Sequence, residues 1–434
     1  MKKQIKFRVF SFLAAMALIL TGCSVYEDEP EISGVSTESF VTGAPATSSN
    51  EADFPKTGTA SPNGITTGTA DDKETQPAVP PTGITEPEPK TEQGIHQEPV
   101  TEAGTENVKD PIQAIISEMS LEEKIGQVIL VRYSDNAAQL AAKYHFGGYT
   151  LYAKDFQNET EKTIKEKLER IASATAVPPF IAADEEGGSV VRISRFPQFS
   201  LQPLPSLSQG ASDIEAFGKR MAEILKKAGV NLNLAPVADV AESENDYIYD
   251  RTCGLGYGET GEVIGELVRV LNGQKIMSCL KHFPGYGPNV DTHTGIAFDN
   301  RSAAEFESKD FIPFKAGIQA GVPMIMVNHN IVAAYNKNVP ASLAPEVHKA
   351  LRQLGFNGII VTDDLGMQAI LTYSKDPYAD AFLAGNDLLC TSDGEACQSS
   401  LYKAALKGEI SVKRLDESVY RILKAKLSYG IIKT

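Results

Sequence analysis

Residues 109–434 predict an α/β fold, a (β/α)8 TIM-type barrel, on three observations. Eight short apolar runs recur through the region, amphipathic stretches of helical period separate them, and chemically capable polar residues gather just after the runs. The runs are QVILVRY (127–133), GGYTLYA (147–153), PFIAADE (179–185), VNLNLAPVADV (230–240), KIMSCLKHF (275–283), PMIMVNHN (323–330), GIIVTDDL (358–365) and DLLCT (387–391). Several are almost continuously apolar, as parallel strands covered on both faces must be. Between them IEAFGKRMAEILKKAG, GEVIGELVRVLNG, FESKDFIPFKAGIQAG, PEVHKALRQLG and YADAFLAG read as helices, most ending at a glycine suited to the position just past a helix C-terminus.

The third observation concerns placement. Asp184, Glu185 and Glu186 follow the third run, Asp239 the fourth, Lys281 and His282 the fifth, Asn328 and His329 the sixth, and Asp363 and Asp364 the seventh. These are C-terminal strand ends, the face on which barrel enzymes build their sites. A lone aspartate there is as readily a helix N-cap. Five strands converging is not explained that way.

The first 108 residues belong to no such pattern. MKKQIKFRVFSFLAAMALILTGC places Lys2, Lys3, Lys6 and Arg8 before an apolar run of about eleven residues, too short for a ~30 Å hydrocarbon core. It reads as an export signal over residues 1–22. Leu20-Thr21-Gly22-Cys23 resembles the lipobox of bacterial lipoproteins, which implies lipid attachment at Cys23. Residues 23–108, rich in Thr, Ser, Pro, Gly and Glu, cannot bury enough apolar surface to fold and are expected to be a disordered tether. A flexible coil of that length spans about 50 Å on average. The expected location is extracytoplasmic, lipid-anchored to the bacterial cell membrane, with no other membrane contact.

Of the formal charge of −15, Ser24–Lys109 carries −12 and the first 23 residues +4, leaving −7 for the rest. No basic stripe suggests a nucleic-acid partner, and a monomer is expected. Beyond Cys23, the cysteines Cys253, Cys279, Cys390 and Cys397 show no C-x-x-C spacing. Cys279, inside an apolar run, is expected to be a buried thiol.

The segment KHFPGYGPNVDTHTG (281–295) concentrates Lys281, His282, Asp291 and His293. There is no H-E-x-x-H, no cysteine pair and no G-x-x-x-x-G-K-[ST], so neither a metal site nor a phosphate loop is signalled, and no cofactor is expected. Proton transfer fits better: a carboxylate two residues from an imidazole can fix its tautomer and support its charged form. VTDDLGM then offers a carboxylate nucleophile in one aspartate, while the other caps the following helix. A carboxylate nucleophile with a separate acid/base is the arrangement of a retaining glycosidase.

KHFPGYG…DTH, DEEGGSVVR, DRTCG, PASLAPEVHKALRQLGFNGIIVTDDLGM and the opening MSLEEKIGQVILV together resemble glycoside hydrolase family 3, in its single-domain β-N-acetylhexosaminidase branch, from about Pro111 to Ile431. The resemblance implies a barrel fold. It also implies that Asp363 is the nucleophile, that His293 and Asp291 are the acid/base dyad, and that Asp184, Arg192, Arg251, Lys281 and His282 bind sugar. The implied substrate is a cell-wall or chitin-type glycan with a terminal β-linked N-acetylhexosamine, cleaved exo-wise through a covalent glycosyl-aspartate. Two other readings stay open, a phosphorylase and a non-catalytic sugar-binding lipoprotein. The chain departs from the family pattern at Tyr286, where histidine is usual, in the short Pro288-Asn289-Val290 link before Asp291, and at Ser189.

Overall fold

The computed structural model describes residues 110–289 and 297–433. The expected signal (1–22), Cys23, the tether (23–108), Asp291 and His293 lie outside the described residues.

All eight expected runs contain strands: β1 (Ile129–Arg132), β2 (Gly148–Thr150), β3 (Phe180–Ala183), β4 (Leu232–Asn233), β5 (Met277–Phe283), β6 (Met324–Val327), β7 (Ile359–Thr362) and β8 (Leu389–Thr391). Every pairing among them is parallel, in the order β7-β6-β5-β4-β3-β2-β1-β8. A parallel bridge between Val361 and Leu388 joins the two ends of that order and closes the barrel. Helices follow the strands outward, among them Glu161–Ala172, Ile214–Lys227, Tyr257–Gly273, Pro345–Gln353 and Pro377–Ala384. Apolar faces from both layers merge into one continuous core. Parallel strands can be this short because each is covered twice, by barrel interior and by helix.

One expected element splits. The stretch from Phe306 to Gly321 forms two helices, Ala303–Ser308 and Phe311–Gln319. Pro313 is the cause: in an unbroken helix it would lack its backbone donor and its ring would press on the carbonyl of Lys309, whereas in the first turn of a new helix both problems vanish. At the break Asp310 turns inward, where Arg301 Nη1 meets its carboxylate at 2.8 Å.

Two polar knots stabilise the barrel away from its C-terminal face. Asp387, fully buried just before β8, accepts from Arg352 (2.5 Å), Arg421 (3.0 Å), Ser418 (2.8 Å) and the Ile360 amide (3.1 Å). Lys426, buried in the last helix, donates to Gln127 at 2.8 Å and lies 5.0 Å over the Phe180 ring. Burial lowers its pKa to about 7. Cys253, Cys279, Cys390 and Cys397 are all buried free thiols, as expected for Cys279.

Candidate active site

The C-terminal end of the barrel is organised around Lys281. Pairing of β5 with β6 runs Cys279 to Met324 and Leu280 to Ile325, then resumes at Phe283 and Val327, so β5 carries one extra residue. Such a bulge re-aims the side chains it contains, and here those are Lys281 and His282, joined by a cis peptide bond. Lys281 Nζ lies 2.7 Å from Asp184 Oδ1 and 2.6 Å from Glu186 Oε1. Burial by itself would lower the Lys281 pKa, but the two carboxylates outweigh it and hold the ammonium above the usual lysine range.

Glu186 also receives Arg251, whose Nε (2.9 Å) and Nη2 (2.8 Å) bind its two oxygens as a fork. A 3-10 turn at Tyr249–Arg251 presents that guanidinium. Burial would push the Glu186 carboxyl up; Arg251 and Lys281 override it and hold it well below the ordinary carboxylate range. The lysine and the arginine are therefore fixed before any ligand arrives.

His282 completes the cluster. Its Nδ1 is 2.7 Å from Asp239 Oδ2, and its Nε2 is 3.3 Å from Arg251 Nη2. Arginine can only donate, so Nε2 accepts and the ring proton sits on Nδ1, shared with Asp239. Asp239 accepts in addition from the His282 amide (2.9 Å) and the Tyr286 amide (2.7 Å). This one carboxylate ties the end of β4 to the bend after β5. The bend needs its glycines: a Cβ on Gly285, at φ +128°, would stand 2.2 Å from Asp310 Oδ1.

Asp363 follows β7. Its amide donates to the Val327 carbonyl (3.0 Å) and its Oδ1 accepts from the Asp364 amide (2.9 Å). It stands at the C-terminal end of β7, the barrel end on which Asp184 follows β3 and Lys281 lies near the end of β5. Asp364 does not cap the next helix as expected. Its Oδ1 accepts from Gly366 at 2.8 Å, inside the turn that precedes the helix Gln368–Leu371, whose N-cap position is held by Met367 instead. His329 Nε2 binds the Asp364 carbonyl at 3.0 Å and so steadies the aspartate pair.

Glu185 and Glu186, neighbours in sequence, have different work. Glu185 points inward and accepts the amides of Arg192 (3.0 Å), Ile193 (2.8 Å) and Ser194 (3.2 Å), folding the strand pair Glu185–Gly187 and Val190–Val191 back on itself. Arg192 reaches the mouth with its guanidinium 5.7 Å over the Tyr152 ring, and its buried Nε has no hydrogen-bond partner among the described residues. Arg132 covers the same ring at 4.4 Å.

The structure thus brings together Asp184, Lys281, His282 and Arg251, with Asp363 at the end of β7 on the same face of the barrel and Arg192 over the Tyr152 ring. Sequence reasoning had not assigned roles to Glu186 or Asp239. The signal for both was their place after β3 and β4, yet nothing local separates Glu186 from Glu185.

Comparison with known proteins places the chain in a family. Residues 120–425 match the model of the glycosyl hydrolase family 3 N terminal domain. The chain is 34% identical over 239 residues to a beta-hexosaminidase of Xanthomonas axonopodis pv. citri, covering 51% of this chain and 68% of that protein. It is 27% identical over 317 residues to beta-hexosaminidase A of Pseudoalteromonas piscicida, covering 66% of this chain but only 51% of that protein. The structure resembles a glycoside hydrolase family 3 beta-N-acetylglucosaminidase from Paenibacillus sp. str. FPU-7 with a TM-score of 0.65 and 26% identity, over 72% of this chain and 63% of that one. With a barrel of eight parallel strands and its charged cluster at the C-terminal end, the chain belongs to glycosyl hydrolase family 3.

Proposed function

We propose that the protein is a retaining, exo-acting β-N-acetylhexosaminidase that removes terminal N-acetylglucosamine from cell-wall or chitin-type glycans. The observation that carries this reading is the gathering of the prearranged donors Lys281 and Arg251 and the acceptors Asp184 and His282 at the barrel end on which Asp363 follows β7. Such a set matches a sugar's hydroxyls, each of which both donates and accepts. The beta-hexosaminidase relatives support the choice of sugar.

In the proposed reaction an Asp363 oxygen bonds to the anomeric carbon as the bond to the leaving oxygen breaks, and protonated His293 gives that oxygen its proton. Neutral His293, supported by Asp291, then takes a proton from water, which cleaves the glycosyl-aspartate and releases the sugar with its configuration retained. Donors already locked in place by carboxylates cost little reorganisation as charge develops.

Hydrolysis of 4-nitrophenyl N-acetyl-β-glucosaminide in preference to the matching glucoside and xyloside, with the β-anomer seen first by NMR and no acceleration by phosphate, is the expected result. A sugar 1-phosphate as product would make the protein a phosphorylase instead, and tight glycan binding without turnover would make it a binding protein.

We also propose that Cys23 is lipidated and that the protein is held at the outer side of the cell membrane, on the strength of Leu20-Thr21-Gly22-Cys23. Cys23→Ser is expected to move the protein from the membrane fraction to the soluble fraction and to abolish labelling by radioactive palmitate. Unchanged labelling would refute the attachment site.

A further inference from the structure

Tyr247 sits on the loop between β4 and the 3-10 turn that presents Arg251. It is 41% exposed. Its ring packs on Tyr286, with centroids 5.6 Å apart and planes tilted by 38°. Tyr286, only 3% exposed, in turn meets His282 edge-on at 5.7 Å. Arg251, which touches His282 and Glu186, also lies within electrostatic reach of the Tyr247 hydroxyl. Tyr247 therefore overlooks the charged cluster from its rim, one ring further out than Tyr286.

The loop holds this position firmly. Asp246 Oδ2 accepts the amides of Glu242 (2.9 Å) and Ser243 (3.0 Å), and buried Ile248 packs with Val237 and Tyr286 directly beneath. An aromatic ring kept exposed by a preorganised loop suits a ligand with an apolar face. A β-linked pyranose has one, since its equatorial hydroxyls leave C–H bonds above and below the ring, and the negative face of an aromatic ring attracts them.

We propose that Tyr247 is a specificity-determining residue that stacks on the leaving-group sugar, so that the protein favours glycans over simple glycosides. The inference rests on the hexosaminidase reading above. The terminal sugar belongs among the buried groups around Lys281 and Asp363; the next sugar emerges at the rim, where Tyr247 stands. The phenol is dispensable in this role and the ring is not.

The test compares the full-length protein with Tyr247→Ala and Tyr247→Phe on N,N′-diacetylchitobiose and on methyl N-acetyl-β-glucosaminide, which has no second sugar. Tyr247→Ala is expected to raise KM for the disaccharide about five- to tenfold, the scale of one aromatic contact, with kcat little changed. Its kinetics on the methyl glycoside stay at the wild-type level, which also shows that the variant is folded. Tyr247→Phe retains wild-type KM. Equal losses on both substrates, no loss on the disaccharide, or a Phe variant as weak as the Ala variant would each overturn the role of Tyr247 while leaving the hexosaminidase reading in place. Wild-type protein that cleaves neither substrate would overturn both.

Discussion

Asp363→Ala is expected to lower kcat on 4-nitrophenyl N-acetyl-β-glucosaminide by roughly 10⁴-fold or more, the scale seen when the nucleophile is removed from a group of residues that acts as a unit. No neighbour can replace it. Asp364 is turned toward the Gly366 amide, and Asp184 is engaged by Lys281. Burial raises the Asp364 pKa, and the nearby Asp363 charge adds to that. In the proposed reaction, removing Asp363 opens space on the face of the sugar that it attacks. Sodium azide should then partly restore turnover in Asp363→Ala and give the α-glycosyl azide, since the small anion enters from the side of the lost carboxylate. Wild-type kcat in this variant, or a rescued product of β configuration, would remove Asp363 from the mechanism.

The second large effect concerns stability as much as catalysis. Glu186→Gln replaces a carboxylate that answers two cations, Lys281 at 2.6 Å and Arg251 at 2.8 Å. Lys281 would keep Asp184, but Arg251 would be left buried with no charged partner on that side. Breaking a buried ion pair by removing one member typically costs about 3–5 kcal/mol, which in a domain of this size corresponds to a fall in Tm of roughly 10 °C. Activity should fall with it, because both donors lose their fixed positions.

The same group sets a pH dependence. Its pKa in the folded protein is held well below the ordinary 4.5 by Arg251 and Lys281 acting against burial. A depressed folded pKa means a stabilising contribution that is complete above about 4.5 and is lost as pH falls below it. Wild-type Tm should therefore drop on acidification from pH 5 to pH 3, and Glu186→Gln should show a shallower drop over the same range. Parallel Tm profiles for the two proteins would show that Glu186 carries no such linkage.

The barrel was legible because its signals are local. A run such as GIIVTDDL states by itself that it is buried on both sides and ends in carboxylates, and β7 occupies Ile359–Thr362 within it. Of the five glycines read as helix stops, Gly229, Gly321, Gly355 and Gly385 take positive φ, whereas Gly273 is still helical and Lys275 makes the left-handed turn beyond it. The split at Lys309–Asp310 could have been read too, since Pro313 excludes an unbroken helix. What lay beyond local reading was direction. Whether Glu185 or Glu186 faces the site depends on how the segment after β3 folds back, which the amides of Arg192 to Ser194 decide through Glu185.

The sequence by itself determined the class of fold and the face on which polar residues such as Asp184, Lys281, His282 and Asp363 gather, because strand ends and their polar residues are encoded within a few positions of each other; Arg251, on a turn well beyond β4, is expected from the family resemblance alone. Only the tertiary structure decided how these charges are shared: that Glu186 bridges Lys281 and Arg251, that Asp239 orients His282 and holds Tyr286, and that Tyr247 stands over that ring at the rim. The reason is physical. Within the site, ionic and aromatic contacts of a few ångströms are made between residues up to about a hundred positions apart, and no local pattern in a chain records which of its distant charges will be neighbours.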